Sequence, residues 1–421
     1  MRLWSIIFAA LVLLLTFPID QERLLASAAS AAAERQAEET AGQNGREPVP
    51  EPANIASESA ILIDQESGLV LFAKNAFARM YPASITKIVT AIVAIETSEL
   101  DETVTVSKEA RNEDGTRVYL SEGEQKTMEQ MLYAMMLNSG NDAATAIAEH
   151  IDGSKALFAE RMNEFVRDVV GVHDSNFVNP SGLPDENHYT TAYDMAQIAR
   201  YAMRNETFRT IVSTVRMPWD GLEWKSTLIN HNRLLTSYEG ATGIKNGYTR
   251  AAGNTLASSA TRGDKSLIGV VLKAPSSNQA YKDMTALFDY GFAAFQSNTL
   301  FAKGETYTEE EGDTTREWVA QQPIRVLARS GDQPHMSVDS QGQVMVENDF
   351  GPQKVGQLEP VKTQVHAMRS EEAAAMPETE KEAATSSPYA IWMPAAGIVV
   401  AAAAVWAAAK RRKRNRDTSD F

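Results

Sequence analysis

Ser84-Ile85-Thr86-Lys87 sets an alcohol and an amine three residues apart. On a helix that spacing is about 60° of rotation and about 4.5 Å of rise, so the two groups share a face. Burial strips a lysine of the solvation that favours its charge, and a neighbouring cation disfavours the charge further. Bringing an amine from about 10.4 to near 7 or 8 requires roughly 4 kcal/mol, attainable for a buried group, and the neutral amine can then take the serine proton. Such pairs arise by chance in most long chains, and alone this one decides nothing. Ser139-Gly140-Asn141 lies at the break after a helical run, and Lys245-Asn246-Gly247 follows a glycine-bearing run and precedes Tyr248. Beside the Ser84 hydroxyl and the Lys87 amine the chain thus offers, in a fixed order, a second hydroxyl, an amide, a cation and a glycine.

Other chemistries find little support. The chain has no cysteine, which excludes disulfides, thiolate catalysis and zinc sites of the cysteine type. His150, His173, His188, His231, His335 and His366 are scattered without ligand spacing, so no metal and no cofactor is expected, and His188 and His231 read as structural. A net charge of -15 argues against nucleic acid as a partner.

The elements that must hold these residues follow from pattern. Ala60 to Ile63 and Leu69 to Phe72 flank Asp64-Gln65-Glu66-Ser67-Gly68, a hairpin signal. Leu267 to Leu272 reads as a buried strand and Ala280 to Phe295 as the helix packed on it. Ile85, Ile88, Val89, Ile92 and Val93 fall at helical spacing, so a buried helix is expected from Ser84, although this β-branched content suits a strand as well. Thr127 and Gln130 form a capping-box pattern opening a helix to about Asn138, with Met128, Met131, Met135 and Met136 as core filler. Thr191 to Asp194 caps another helix. Asn179 to Thr190 is turn chemistry, with Asp185 and Glu186 as solvated loop acids, and Arg250 reads as a surface arginine, a contact to a substrate carboxylate being the alternative.

The ends place the chain. Met1 to Phe17 carries Arg2 and an apolar run, and cleavage after Ala28 suits a signal peptide, an uncleaved anchor being the alternative. Tyr389 to Ala409 is an apolar run of bilayer length, and the basic cluster Lys410 to Arg416 follows it. The expected organisation is a signal peptide (1–28), a linker (29–52), a catalytic domain (53–297), a small β-rich domain (298–369), a linker (370–388), a transmembrane helix (389–409) and a basic cytoplasmic tail (410–421). The catalytic domain then lies outside a cell membrane crossed once.

With its surroundings, Pro82-Ala83-Ser84-Ile85-Thr86-Lys87, Leu137-Asn138-Ser139-Gly140-Asn141-Asp142-Ala143, Asn179-Pro180-Ser181-Gly182-Leu183-Pro184 and Gly243-Ile244-Lys245-Asn246-Gly247-Tyr248-Thr249, the chain resembles the penicillin-binding serine enzymes, in particular the low-molecular-mass D-alanyl-D-alanine carboxypeptidases of the S11 peptidase type. The resemblance spans about Ala53 to Phe292. It implies an α+β fold of the β-lactamase/transpeptidase kind, an antiparallel sheet with helices on both faces. It also implies that Ser84 is acylated by the penultimate D-alanine of a peptidoglycan stem peptide, that water then frees the enzyme, and that β-lactams bind covalently. Lys87 is then the base, Ser139 a proton relay to the leaving amine, Asn141 a holder of Lys87 and of the substrate amide, and Lys245 a cation for the terminal carboxylate. Backbone N–H groups of Ser84 and Tyr248 form the oxyanion hole beside Gly247. Whether Lys87 or Ser139 is the effective proton acceptor stays open at this level. Asn246 departs from the family, which has a hydroxyl residue there to touch the carboxylate; an amide can donate in its place, and altered affinity or rate is expected. Two rival readings are a β-lactamase, disfavoured by Gly140 at the middle of the second motif, and a silent scaffold, supported by Asn246 alone.

Overall fold

The computed structural model describes residues 52, 54–311 and 314–361. The expected leader and the expected membrane span lie outside these residues, and among the described residues no helix is long and apolar enough to cross a membrane.

Strands β1 (Ser59–Asp64) and β2 (Val70–Lys74) form the expected hairpin. Far along the chain, β3 (Ala241–Thr249), β4 (Gly253–Arg262) and β5 (Lys265–Ala274) form a meander. β1 pairs with β5, Ile61 opposite Val270, which closes one antiparallel sheet in the order β2-β1-β5-β4-β3. β3 is therefore an edge strand.

Helices cover both faces of this sheet: α1 (Lys87–Thr97), α2 (Met128–Leu137), α3 (Asn141–Asp152) and α4 (Ala192–Ala202) are among those that contribute to one core, and α5 (Ser277–Ala294) contributes to the other. The period of two along a strand sorts the side chains: Ile268, Val270 and Leu272 of β5 join the first core, Leu267 and Val271 the second. Both faces being covered, β5 reads as a nearly continuous apolar run. Gly269 lets α5 come close, since a Cβ there would collide with Met284.

α1 is buried at every position from Lys87 to Ala94, the mark of a helix inside a core rather than on its surface. α2 opens on the expected capping box: the Thr127 hydroxyl accepts from Gln130 N–H at 3.2 Å, and the Gln130 side chain accepts from Thr127 N–H at 3.1 Å. Its four methionines are buried. Thr191 caps α4 through Asp194 N–H at 3.0 Å.

After α5 the chain turns directly into a strand, Phe295–Phe301, which pairs with Ile324–Arg329. Two three-stranded sheets complete this β-rich part. Its Val326, Leu327, Val344 and Leu358 belong to the same core as Leu62, Leu69 and Leu71 of the hairpin. Polar contacts reinforce the seam: Leu327 N–H donates to the buried Asp64 carboxylate at 3.3 Å, and Val70 N–H donates to the Gln353 side chain at 3.0 Å.

Candidate active site

Ser84 and Lys87 do not share an α-helix, as the sequence reading had them. Ala83–Thr86 is a 3-10 turn, and the α-helix begins only at Lys87. In a 3-10 turn residues three apart eclipse each other, so the 60° offset vanishes and the two side chains stack. Lys87 Nζ accordingly lies 3.2 Å from Ser84 Oγ. The turn is pinned from three sides. The Thr255 hydroxyl of β4 donates to Pro82 O at 2.8 Å, Thr86 Oγ1 and His188 Nε2 are 2.9 Å apart, and the backbone of Gly182 lies against Ala83. Ala83 is held at φ +51°, in the left-handed region.

Lys87 is completely buried, and Nζ donates to Asn141 Oδ1 and to Ser181 O, each at 2.7 Å. Burial, then the neighbouring Lys245 charge, hold its pKa well below the ordinary lysine value, against the opposing pull of Asp142 and Glu113. Lys245 on β3 is also buried, and burial lowers it to about 7. Its amine donates to Asn246 O at 3.1 Å and lies 3.5 Å from Asn246 Oδ1.

Gly247 has a sharper requirement than an open edge. A Cβ there would lie 2.6 Å from Ser84 N and 2.7 Å from Thr255 Oγ1, so only glycine lets β3 press against the nucleophile's own backbone. Tyr248 follows with its side chain turned to solvent.

The second cluster bridges α2 and α3. Ser139, at φ +61° and nearly buried, makes the turn, and Asn141 opens α3. The Asn141 amide nitrogen donates one of its two hydrogens to Asp114 O at 2.6 Å, which orients the side chain and leaves the second hydrogen available. The structure thus brings Ser84, Lys87, Asn141 and the β3 segment Lys245–Gly247 into one locus. Arg250, which follows β3, is exposed, as are Asp185 and Glu186. His188 is buried, kept near 4 by burial, and serves the turn through Thr86. His231, likewise lowered to about 4 by burial and by the Lys245 charge, lies close enough to β3 to feel that amine.

Sequence reasoning missed three contributors. Ser181 acts through its carbonyl, aimed at Lys87 by an Asx-type turn in which Asn179 Oδ1 accepts from the N–H groups of Ser181, Gly182 and Leu183. The Asn-Pro-Ser-Gly turn was legible; the use of one carbonyl in it was not. Asp142, buried, accepts from Val118 and Leu120 N–H and so ties a loop to the second cluster. Thr255 gave no signal.

A serine paired with a buried amine, on a helix-covered antiparallel sheet with a lysine-bearing edge strand, defines a serine hydrolase of the penicillin-binding, transpeptidase-like fold. The family model described as D-alanyl-D-alanine carboxypeptidase matches residues 46–276, and the chain belongs to this family, the S11 peptidases. Among its relatives, D-alanyl-D-alanine carboxypeptidase DacF of Bacillus subtilis is 32% identical over 289 residues, covering 66% of this chain and 73% of the relative. The D-alanyl-D-alanine carboxypeptidase of a Streptomyces strain, K15, is 34% identical over 257 residues, covering 57% of this chain and 88% of the relative. Among solved structures, penicillin binding protein 5 from Haemophilus influenzae superposes with a TM-score of 0.63 at 27% identity, over 74% of this chain and 98% of that one.

Proposed function

We propose that the D-alanyl-D-alanine carboxypeptidase activity of this chain runs through an acyl-enzyme on Ser84 with Lys87 as the base. The observation that carries the reading is the surroundings of the Lys87 amine. A neutral amine has two N–H bonds and one lone pair. Asn141 Oδ1 and Ser181 O occupy two directions at 2.7 Å, and Ser84 Oγ stands in a third at 3.2 Å. The lone pair then faces the serine hydroxyl and takes its proton as Oγ attacks the carbonyl carbon of the penultimate D-alanine. The N–H groups of Ser84 and Tyr248 hold the oxyanion, and the closeness of Gly247 to Ser84 N supports that pairing. Lys245 and Asn246 receive the terminal carboxylate. Ser139 hands a proton to the departing D-alanine, and water hydrolyses the ester. β-Lactams acylate the same oxygen, and the stem peptides of peptidoglycan are the natural substrate.

In this reading residues 1–28 export the chain, 53–297 carry catalysis, 298–369 are a β-rich annex, and 389–409 anchor it in the membrane with 410–421 inside. A labelled penicillin should attach to the tryptic peptide containing Ser84, with D-alanine released from a D-Ala-D-Ala peptide, and Ser84→Ala should abolish both. Persistent release by that variant would refute the assignment. Continued turnover of penicillin instead of its retention would point to a β-lactamase. For the anchor, removal of residues 389–421 should free the chain from carbonate-washed membranes; retention there would sink it.

A further inference from the structure

The loop over residues 112–123 lies beside the second cluster and is fastened to it at four points. Asn141 donates through its side chain to Asp114 O at 2.6 Å and through its backbone to Thr116 O at 2.7 Å. The Asp142 carboxylate accepts from Val118 N–H and from Leu120 N–H, both at 3.1 Å. Gly115 sits so close that a Cβ there would lie 2.7 Å from the Asn141 amide nitrogen. These bonds draw Val118 and Leu120 inward, where both are buried, and drive the residue between them out: Tyr119 is 52% exposed at φ +56°. A tyrosine in the left-handed region costs roughly 1 kcal/mol, so the anchored loop displays this ring against its own backbone preference. The Arg117 guanidinium lies 5.5 Å from the centre of the Tyr119 ring, and Trp224 meets the ring edge-on at 6.2 Å. Trp224 comes from the hairpin of strands Arg216–Asp220 and Lys225–Ile229.

Arg117 donates to Arg111 O at 3.2 Å but forms no ion pair among the described residues. Of the nearby acids, Glu223 pairs with Arg111, Glu113 with Lys155, Glu124 with Lys126, and Asp142 with backbone N–H groups, while Asp114 and Glu122 of the same loop are exposed to solvent. An unmatched cation braced on an aromatic ring, at the rim of a site in a chain of net charge -15, calls for an anionic partner.

Resting on the reaction proposed above, the direction of the substrate follows. Its terminal carboxylate lies toward Lys245 on β3, so its acyl part extends past Asn141 toward this loop. We propose that Arg117 and Tyr119 form an acyl-side subsite that selects stem peptides bearing a carboxylate upstream of the scissile bond, the ring packing on the peptide and the guanidinium pairing with the acid.

The test uses the full chain and two peptides ending in D-Ala-D-Ala that differ only upstream, one with a free carboxylate and one with that group amidated. The wild type should favour the acid by about fivefold in kcat/KM, carried in KM, and the preference should shrink as salt is raised. Arg117→Gln should bring the ratio to about one, and Arg117→Lys should keep part of it. Because the ratio is the readout, a general loss of activity in a variant cancels. An unchanged ratio in Arg117→Gln, or no preference in the wild type, would overturn the subsite and leave the reaction standing. Turnover of neither peptide would remove the reaction, and the subsite with it.

Discussion

The two faces of the one sheet are built for different ends. The face under α1 to α4 buries Lys87, Thr86, Asn141, Asp142, His188 and Lys245 among its apolar side chains. The face under α5 and the β-rich segment is filled with Leu62, Leu256, Leu267, Val271, Met284, Leu287 and Phe288. Buried amines and amides cost free energy unless every bond is satisfied, and even then they contribute less than the same volume of hydrocarbon. The desolvation that makes Lys87 a base is thus a liability for the fold. The far face also buries two carboxylates, Asp64 and Asp283, each bonded to a serine hydroxyl and to backbone N–H groups, but its bulk removes apolar area from water at about 25 cal/mol per Å², and there stability is recovered. β5 carries side chains into both, so the division runs through a single strand.

Removing the amine should break the comparison most severely. Lys87→Ala should lower acylation by at least about 10²-fold, the usual minimum for loss of a general base. The same variant should reveal what burial costs. Between the depressed folded value of Lys87 and its unfolded value of about 10.4, the unfolded chain binds a proton that the folded one does not. Wild-type stability therefore rises with pH in that window, by about 1.4 kcal/mol per pH unit from this group. Denaturant unfolding between pH 8 and 10 should show the variant with a slope smaller by about that amount. An equal slope would mean that Lys87 is charged in the folded chain.

Lys245 sharpens the point more gently. It sits near 7 in the folded chain, so it is cationic below that pH and increasingly neutral above it. For the free enzyme, kcat/KM on a carboxylate-ended peptide should fall as pH rises through about 7. Lys245→Met should remove this alkaline limb, with a loss of about tenfold at pH 6 where the charge is present in the wild type. It should also move the acidic limb upward, because Lys87 loses a neighbouring cation. A pH profile of unchanged shape would dissociate Lys245 from the substrate carboxylate.

The reacting face was legible in the sequence where chemistry dictates residue type. A nucleophile, an amine and a glycine cannot be replaced by look-alikes, so Ser84, Lys87, Lys245 and Gly247 announce themselves by kind and order. Local geometry was legible where it is short-range, as in the Thr127 and Gln130 capping box and the hairpin of β1 and β2. The 3-10 turn at Ser84 was hidden because an apolar run buried on all sides has no period to distinguish one helix type from another. The Ser181 carbonyl was hidden because every residue has one. Asp142 resembled an ordinary acid in the first turn of a helix, and only the folded chain shows that its oxygens hold a loop. The pairing of β1 with β5 joins segments about two hundred residues apart, a distance over which alternation says nothing of partners.

The smallest effect on catalysis should come from a large, fully buried side chain of the other face. Phe288 is fully buried on α5, near the place where Gly269 lets the helix approach β5. Phe288→Ala removes an aromatic from a closed core, and such truncations cost about 3–5 kcal/mol. None of that reaches Ser84 if the sheet separates the two cores, since the residues that hold Lys87 belong to α3, to the Asn179 turn and to the 3-10 turn of Ser84. Urea unfolding should register the loss, while D-alanine release at 25 °C, normalised to sites titrated with labelled penicillin, should stay within about twofold of the wild type. A tenfold fall per titrated site would show that packing under α5 sets the distance between Ser84 and Lys87, and the two faces would then have to be treated as one cooperative device.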